Sequence, residues 1–198
     1  MMRCLTIPET QEWLAARGVA PEPYHRRPVP SAPYYTQFYT PKFSVMRGFV
    51  DWLTLNYWDK GEALIHAWDW SSYQPPEMVL VDALRFTHGI QRPLVEAPAH
   101  VFGAEEKDQF IALCILTIAF EWQSYIYFPH GKVTLFNYNG EILDFWAGQE
   151  SRFRDLKAIL SDYRIEYTGD MKDRMMPLDP PAPKPVAGRC ADDLPASG

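Results

Sequence analysis

The stretch Ala104–Trp146, AEEKDQFIALCILTIAFEWQSYIYFPHGKVTLFNYNGEILDFW, decides the fold of this 198-residue chain. It opens with an acidic turn, which helix N-termini favour, and runs into the apolar segment Phe110–Phe120. That segment is shorter than the roughly 20 residues a membrane-spanning helix needs. Because it is apolar all round, it predicts the central helix of a soluble domain, buried on all sides.

Three strand-like segments follow this helix and predict an antiparallel meander. Tyr125–Phe128 is aromatic and β-branched, and Lys132–Tyr138 and Glu141–Trp146 alternate between two faces. The Asn139-Gly140 pair favours a type I′ hairpin turn between the last two strands, since both residues tolerate positive φ. Apolar residues then recur at helical spacing and predict an amphipathic helix near Gln149–Tyr163.

The first half of the chain alternates between helical and strand patterns. The predicted elements are a helix over Pro8–Arg17, a strand over Tyr34–Thr40, a helix over Phe43–Trp58, a strand over Ala63–Trp70 and a helix over Pro75–His88. Pro93–Phe102 is expected to be a loop or an edge strand interrupted by Pro98. The order predicts an α+β fold, with one mixed, largely antiparallel sheet and helices packed on at least one face.

Composition divides the chain into four parts. An N-terminal helix occupies residues 1–20, a proline-rich arm 21–33, a globular α+β domain 34–168 and a proline-rich tail 169–198. Proline favours extended backbone in the arm. The tail has no apolar periodicity and is expected to be disordered, because it buries too little apolar surface to offset the entropy of ordering.

The distribution of charge favours some partners over others. The negative charge of the chain, −6 in total, is concentrated in residues 61–170, which contain eight Lys and Arg residues and sixteen Asp and Glu residues. Such a domain repels nucleic-acid phosphates and attracts a basic protein. The N-terminus lacks the apolar core of a signal peptide, and Cys4, Cys114 and Cys190 match no zinc or redox spacing. These features predict a cytoplasmic protein with no cofactor, metal or membrane role.

Catalytic motifs of high specificity do not occur in the sequence. It contains no G-x-S-x-G elbow, no glycine-rich phosphate loop and no H-E-x-x-H helix. His66 lies near Asp69 and His100 precedes the central helix, so either imidazole would serve as a general base beside a carboxylate such as Asp144. A small hydrolase built on these residues is therefore the alternative to a non-catalytic protein. Buried strand histidines that bond to a neighbour are, however, more common.

The segment Trp68-Asp69-Trp70-Ser71-Ser72-Tyr73 has the composition of a protein-binding surface. Aromatic rings around one carboxylate resemble an interface hot spot facing a basic patch. The candidate binding residues are Trp68, Asp69, Trp70, Tyr73, Glu141 and Asp144, of which the last two lie on opposite faces of one strand by parity. The alternatives are that both tryptophans belong to the core, or that the surface joins copies of this chain in a homodimer or scaffold.

Three segments resemble small cytoplasmic bacterial proteins of the toxin-immunity type. They are Ala97–Phe102, the helix end Phe120-Glu121-Trp122 and the run Leu135–Phe145. The resemblance covers a quarter to a third of the chain and carries no functional residue across. It implies a non-catalytic immunity protein that binds a cognate toxin. Occlusion of the toxin's active surface would be its mechanism.

Overall fold

The computed structural model describes residues 1–22, 29–69 and 75–168. Its strands are β1 (Arg3–Leu5), β2 (Tyr34–Tyr39), β3 (Ala63–Asp69), β4 (Ala99–Phe102), β5 (Gln123–Phe128), β6 (Val133–Asn137) and β7 (Ile142–Ala147). Its helices are α1 (Ile7–Ala15), α2 (Phe43–Tyr57), α3 (Pro75–Thr87), α4 (Lys107–Ala119) and α5 (Glu150–Asp162). The strands form one open sheet in the order β1-β4-β3-β5-β6-β7-β2, and each neighbouring pair is antiparallel. The predicted α+β class, the single sheet and the C-terminal meander are confirmed.

Apolar side chains cover both faces of this sheet. The larger cluster joins one face to α2, α4 and α5 through residues such as Phe49, Phe110 and Leu156. The smaller cluster lies on the other face, where Trp13 and Leu14 of α1 pack against strand residues. We call the first face the helical face and the second the aromatic face, because rings of Tyr, Phe and Trp line it. A sheet covered on both sides explains why its central strands read as almost continuously apolar.

The N-terminal residues belong to the same body as the rest of the sheet. The short strand β1, which the sequence pattern does not reveal, pairs with β4 through Cys4 and His100. This pairing places β4 between β1 and β3, so the expected edge strand is an interior one. Pro98 does not interrupt it, because the strand begins at the next residue.

Two local expectations in the deciding stretch are corrected. Ala112 and Ala119 of α4 are exposed, so the helix buries one side rather than its whole circumference. In the loop between β6 and β7, Gly140 has a φ of 77°, whereas Asn139 is not among the residues with positive φ. A type I′ turn needs positive φ at both positions. The connection is a longer loop closed by Tyr138 N–H donating to the Ile142 carbonyl at 3.2 Å.

The end of the globular domain lies along the outer edge of β2. Tyr167 forms an antiparallel bridge with Phe38, and Tyr39 N–H donates to the Glu166 carbonyl at 3.0 Å. These bonds cover part of the backbone that an edge strand otherwise exposes. The predicted tail over 169–198 and residues 23–28 of the predicted arm lie outside the described residues.

The buried side chain of Asn137 ties three segments together. Its amide nitrogen donates to the carbonyls of Thr117 at 3.0 Å and Trp122 at 2.8 Å, and its oxygen accepts from Gly140 N–H at 3.0 Å. We expect Asn137→Ala to lower the free energy of unfolding by about 2–4 kcal/mol, because buried backbone groups lose their partners. Urea denaturation followed by circular dichroism measures this loss.

Asn139→Ala is the matched control, two residues further along the same loop. The Asn139 oxygen accepts one bond, from Glu141 N–H at 3.3 Å, in an exposed setting. Its loss is expected to cost less than about 1 kcal/mol. Equal destabilisation by the two variants would contradict the role assigned to Asn137.

Candidate binding surface

Trp68 stands out at the end of β3. The pairing of β3 with β5 shifts register between Ala67 and Asp69, and the indole of Trp68 at this point is 40% exposed. The indole meets the rings of His66 and Tyr125 edge-on, with centroids 5.9 and 6.2 Å apart. These contacts hold a large apolar group in a fixed orientation at the surface. Such a side chain is typical of an interface anchor.

The other described tryptophans are mostly buried. Trp58, Trp122 and Trp146 are fully buried, Trp13 is buried on the inner side of α1 and Trp52 is half-buried. Trp70 and Tyr73, predicted as binding residues, lie outside the described residues. Most described tryptophans therefore belong to the core, and Trp68 is the exception. The alternative that Trp68 and Trp70 are both core residues is wrong for Trp68, and Trp70 lies outside the described residues.

Helix α3 adds an apolar stripe that the sequence pattern does not single out. One side of α3 faces the core, since Val81 is buried and Met78 and Leu84 pack against the main cluster. On its outer side, however, Val79 is 65% exposed and Phe86 is 68% exposed. These residues are two turns apart on a helix, so they lie on the same side of it.

The outer side of α3 also carries charge and further apolar surface. Leu80 is 48% exposed beside Val79. Asp82 lies three residues after Val79 and four before Phe86, which places its half-buried side chain next to both on the helix surface. We call Val79, Leu80, Asp82 and Phe86 the α3 stripe. A carboxylate flanked by exposed apolar side chains is suited to a partner that is both basic and apolar.

The acidic residues predicted on β7 and its preceding loop are placed differently from one another. Glu141 is exposed, as a binding residue requires. Asp144 is buried on the aromatic face, where one of its oxygens accepts from the Tyr35 hydroxyl at 2.7 Å and from Gln37 Nε2 at 2.8 Å. This correction follows from the register, because Asp144 faces Gln37 of β2 and Phe136 of β6. It cannot meet a partner at the surface.

The residues of the alternative hydrolase do not converge. His66 lies on the aromatic face in a row that runs through Tyr125 and Phe136 to Asp144. Three strand spacings of about 4.8 Å separate the two ends of that row. His100 pairs with Ile65 and therefore projects from the helical face. The three predicted catalytic side chains share no reacting position.

His66 does approach one carboxylate. Its Nδ1 lies 3.7 Å from Oε1 of Glu22, beyond hydrogen-bonding distance. Burial lowers the pKa of His66 to about 4 and raises the pKa of Glu22. Desolvation therefore outweighs the attraction between them, and the imidazole is neutral near pH 7. Within the described residues Nδ1 has no hydrogen-bond partner.

A buried cluster around Arg85 occupies the helical face beside His100. The guanidinium donates to the Ala97 carbonyl at 3.1 Å, to the Arg92 carbonyl and to Nε2 of His100 at 3.0 Å. Burial and the adjacent cation lower the pKa of His100 to about 3, so this ring is a neutral acceptor. Sequence reasoning missed Arg85, because its role as the anchor of residues 92–97 depends on contacts between segments that are separate in the sequence.

The described part of the chain contains neither a metal-binding cluster nor a membrane-spanning helix. In those ranges, no three His, Cys, Asp or Glu side chains come together in a way suited to a metal ion. Among the same residues, no helix combines the length and apolar character that crossing a bilayer requires. Comparison with family models, curated proteins and solved structures finds no significant match to this chain.

Proposed function

We propose that this chain is a non-catalytic, cytoplasmic protein that binds a basic protein partner, most concretely a bacterial immunity protein that covers the active surface of a cognate toxin. The observation that carries the proposal is the α3 stripe, where Val79 and Phe86 expose most of their apolar surface around Asp82. Leaving such groups in water is unfavourable, and burying them against a partner recovers that free energy.

Charge supports the same partner. Residues 61–170, which include α3, carry a net charge of −8 from eight basic and sixteen acidic residues. Opposite charge on the partner speeds association, whereas burial of apolar anchors slows dissociation. Trp68, Asp69 and Glu141 are the remaining predicted binding residues that reach the surface. The resemblance to immunity-type proteins supports a toxin as the basic partner.

The direct test uses the products of genes adjacent to the one that encodes this chain. Each product is expressed alone and with this protein, and the complex is measured by calorimetry. We expect one product to inhibit growth when expressed alone, and this protein to bind it and restore growth. Absence of binding to every adjacent product would contradict the proposal.

Substitution of the α3 stripe is expected to weaken that complex selectively. Phe86→Ser should raise the dissociation constant by about thirtyfold, because truncating a central aromatic anchor costs about 2 kcal/mol. Leu55→Ser is the control, since Leu55 is 72% exposed on α2 and belongs neither to the α3 stripe nor to the other predicted binding residues. Calorimetry of both variants measures the difference. Equal weakening by the two substitutions would assign binding to another surface.

The homodimer remains the alternative use of this surface. Light scattering of the purified protein distinguishes the two. A dimer that Phe86→Ser converts to a monomer would assign the α3 stripe to self-association. A monomer at all accessible concentrations leaves the stripe available to a different protein.

A further inference from the structure

A cavity of about 180 Å³ lies on the aromatic face, away from the α3 stripe. Its floor is formed by Trp146 and Thr134 of the sheet, and its walls include Val19, Ala20 and Val29 from the chain that follows α1. The surfaces are mainly apolar, with a hydroxyl on the floor. Ligand sites commonly combine apolar walls with a small number of polar groups.

The wall formed by residues 29–32 is a closed turn. Val29 N–H donates to the Ala32 carbonyl at 3.2 Å, and Ala32 N–H donates to the Val29 carbonyl at 2.9 Å. Beside the floor, on the same face of the sheet, the ring of Tyr35 packs on Trp146 with centroids 5.3 Å apart. The described lining is therefore held by backbone bonds and ring packing. A preformed cavity loses less entropy when it binds a ligand.

Lys132 stands at the edge of this cavity in an unusual backbone conformation. Its φ is 51°, a value that costs a residue other than glycine about 1 kcal/mol or more. Two backbone bonds hold it there, from Lys132 N–H to the Pro129 carbonyl at 3.1 Å and from Gly148 N–H to the Lys132 carbonyl at 2.8 Å. Strain maintained in this way is often associated with function.

The absence of a side chain at Gly148 leaves room for the Lys132 side chain. A Cβ at position 148 would lie 3.0 Å from Cβ and 3.2 Å from Cδ of Lys132, so the aliphatic stem passes directly over the glycine. The lysine is exposed, and in the described ranges no carboxylate lies within ion-pair distance of its ammonium. The cavity thus has an unpaired cation beside an apolar interior.

We propose that this cavity binds a small monocarboxylate whose apolar body is a single ring or a short branched chain. The apolar body would pack against the half-buried side chains of Val19, Ala20 and Val29, which form the accessible apolar lining. The hydroxyls of Ser31 and Thr134 would supply hydrogen bonds, and Lys132 would attract the carboxylate. The volume is close to that of an engineered cavity of about 150 Å³ that accommodates benzene. The lining shares no residue with the α3 stripe, so this proposal stands or fails independently of toxin binding.

Fluorine NMR of the full chain with 4-fluorobenzoate tests the proposal. We expect saturable broadening and shift of the fluorine line at millimolar ligand. The neutral analogue 4-fluorobenzamide should bind about three- to fivefold more weakly, the range expected for one exposed ion pair. Added salt should reduce that difference, because it screens exposed charge. Absence of saturable binding would overturn the proposal.

Two variants locate the bound ligand. Lys132→Gln should weaken binding of the carboxylate about three- to fivefold and leave that of the amide unchanged, whereas the exposed control Lys60→Gln should change neither. Ala20→Leu should fill part of the cavity and abolish binding of both compounds. Carboxylate binding that is insensitive to Lys132→Gln and to Ala20→Leu would place the ligand elsewhere and overturn the assignment. Because Lys132 is exposed, its substitution tests the proposal even where Ala20→Leu impairs folding.

Discussion

Arg85→Met is expected to lower the free energy of unfolding by about 3–5 kcal/mol, because several buried acceptors lose their donor at about 1–3 kcal/mol each. The carbonyls of Arg92 and Ala97 and Nε2 of His100 all accept hydrogen bonds from this guanidinium. Methionine has a similar length but no hydrogen-bond donor, so these acceptors stay buried with no donor to bond to. Urea denaturation monitored by circular dichroism measures the loss.

Two comparisons isolate the hydrogen bonds of Arg85 from its charge and size. Arg154→Met changes an exposed arginine of α5 and is expected to shift stability by less than about 0.5 kcal/mol. Arg85→Lys keeps the charge, but a single ammonium cannot reproduce the planar fork of donors, so it should remain strongly destabilising. Full stability of Arg85→Lys would show that charge alone is required.

Periodicity predicted the elements of this fold because the apolar residues of each segment face one of two cores. The meander from β5 to β7 is the clearest case, since the alternation of its strands is a local property, although the type I′ turn predicted at Asn139-Gly140 is wrong. β1 escaped prediction because three residues are too few to show a period, and its identity depends on pairing with β4 about 100 residues later. The place of β4 inside the sheet follows from that same distant pairing.

The candidate site was less accessible to sequence reasoning for the same physical reason. Trp68 is exposed although it follows five buried residues of the same strand, and no pattern in that strand distinguishes it from them. The sequence alone suggests that Asp144 is a surface carboxylate, because its burial depends on Tyr35 and Gln37 of the distant strand β2, which donate hydrogen bonds to it. The α3 stripe was detectable in principle, because Val79 and Phe86 lie opposite the buried side of the helix. Their apolar character there conflicts with an amphipathic surface helix.

The two buried histidines are expected to make stability strongly dependent on pH. The pKa is about 4 for His66 and about 3 for His100 in the folded protein, against an ordinary value of 6.5. Below pH 6.5 the unfolded chain binds protons that the folded protein does not. The free energy of unfolding therefore falls as the pH is lowered, by about 1.4 kcal/mol per pH unit for each histidine. The loss from His66 levels off near pH 4 and that from His100 near pH 3.

Urea denaturation at pH 7, 6 and 5 measures this slope, and His66→Asn is the informative variant. Asparagine does not titrate, so the variant should lose stability less steeply between pH 6 and 5, by about 1 kcal/mol per unit. His130→Asn is the control, because His130 is exposed.

The raised pKa of Glu22 acts in the opposite direction, since that carboxyl keeps its proton in the folded protein to a higher pH. Glu22→Gln should therefore steepen the acid loss. For His66→Asn, an unchanged slope would contradict the lowered pKa of His66, because it would mean that the imidazole takes up its proton as readily in the folded protein as in the unfolded chain.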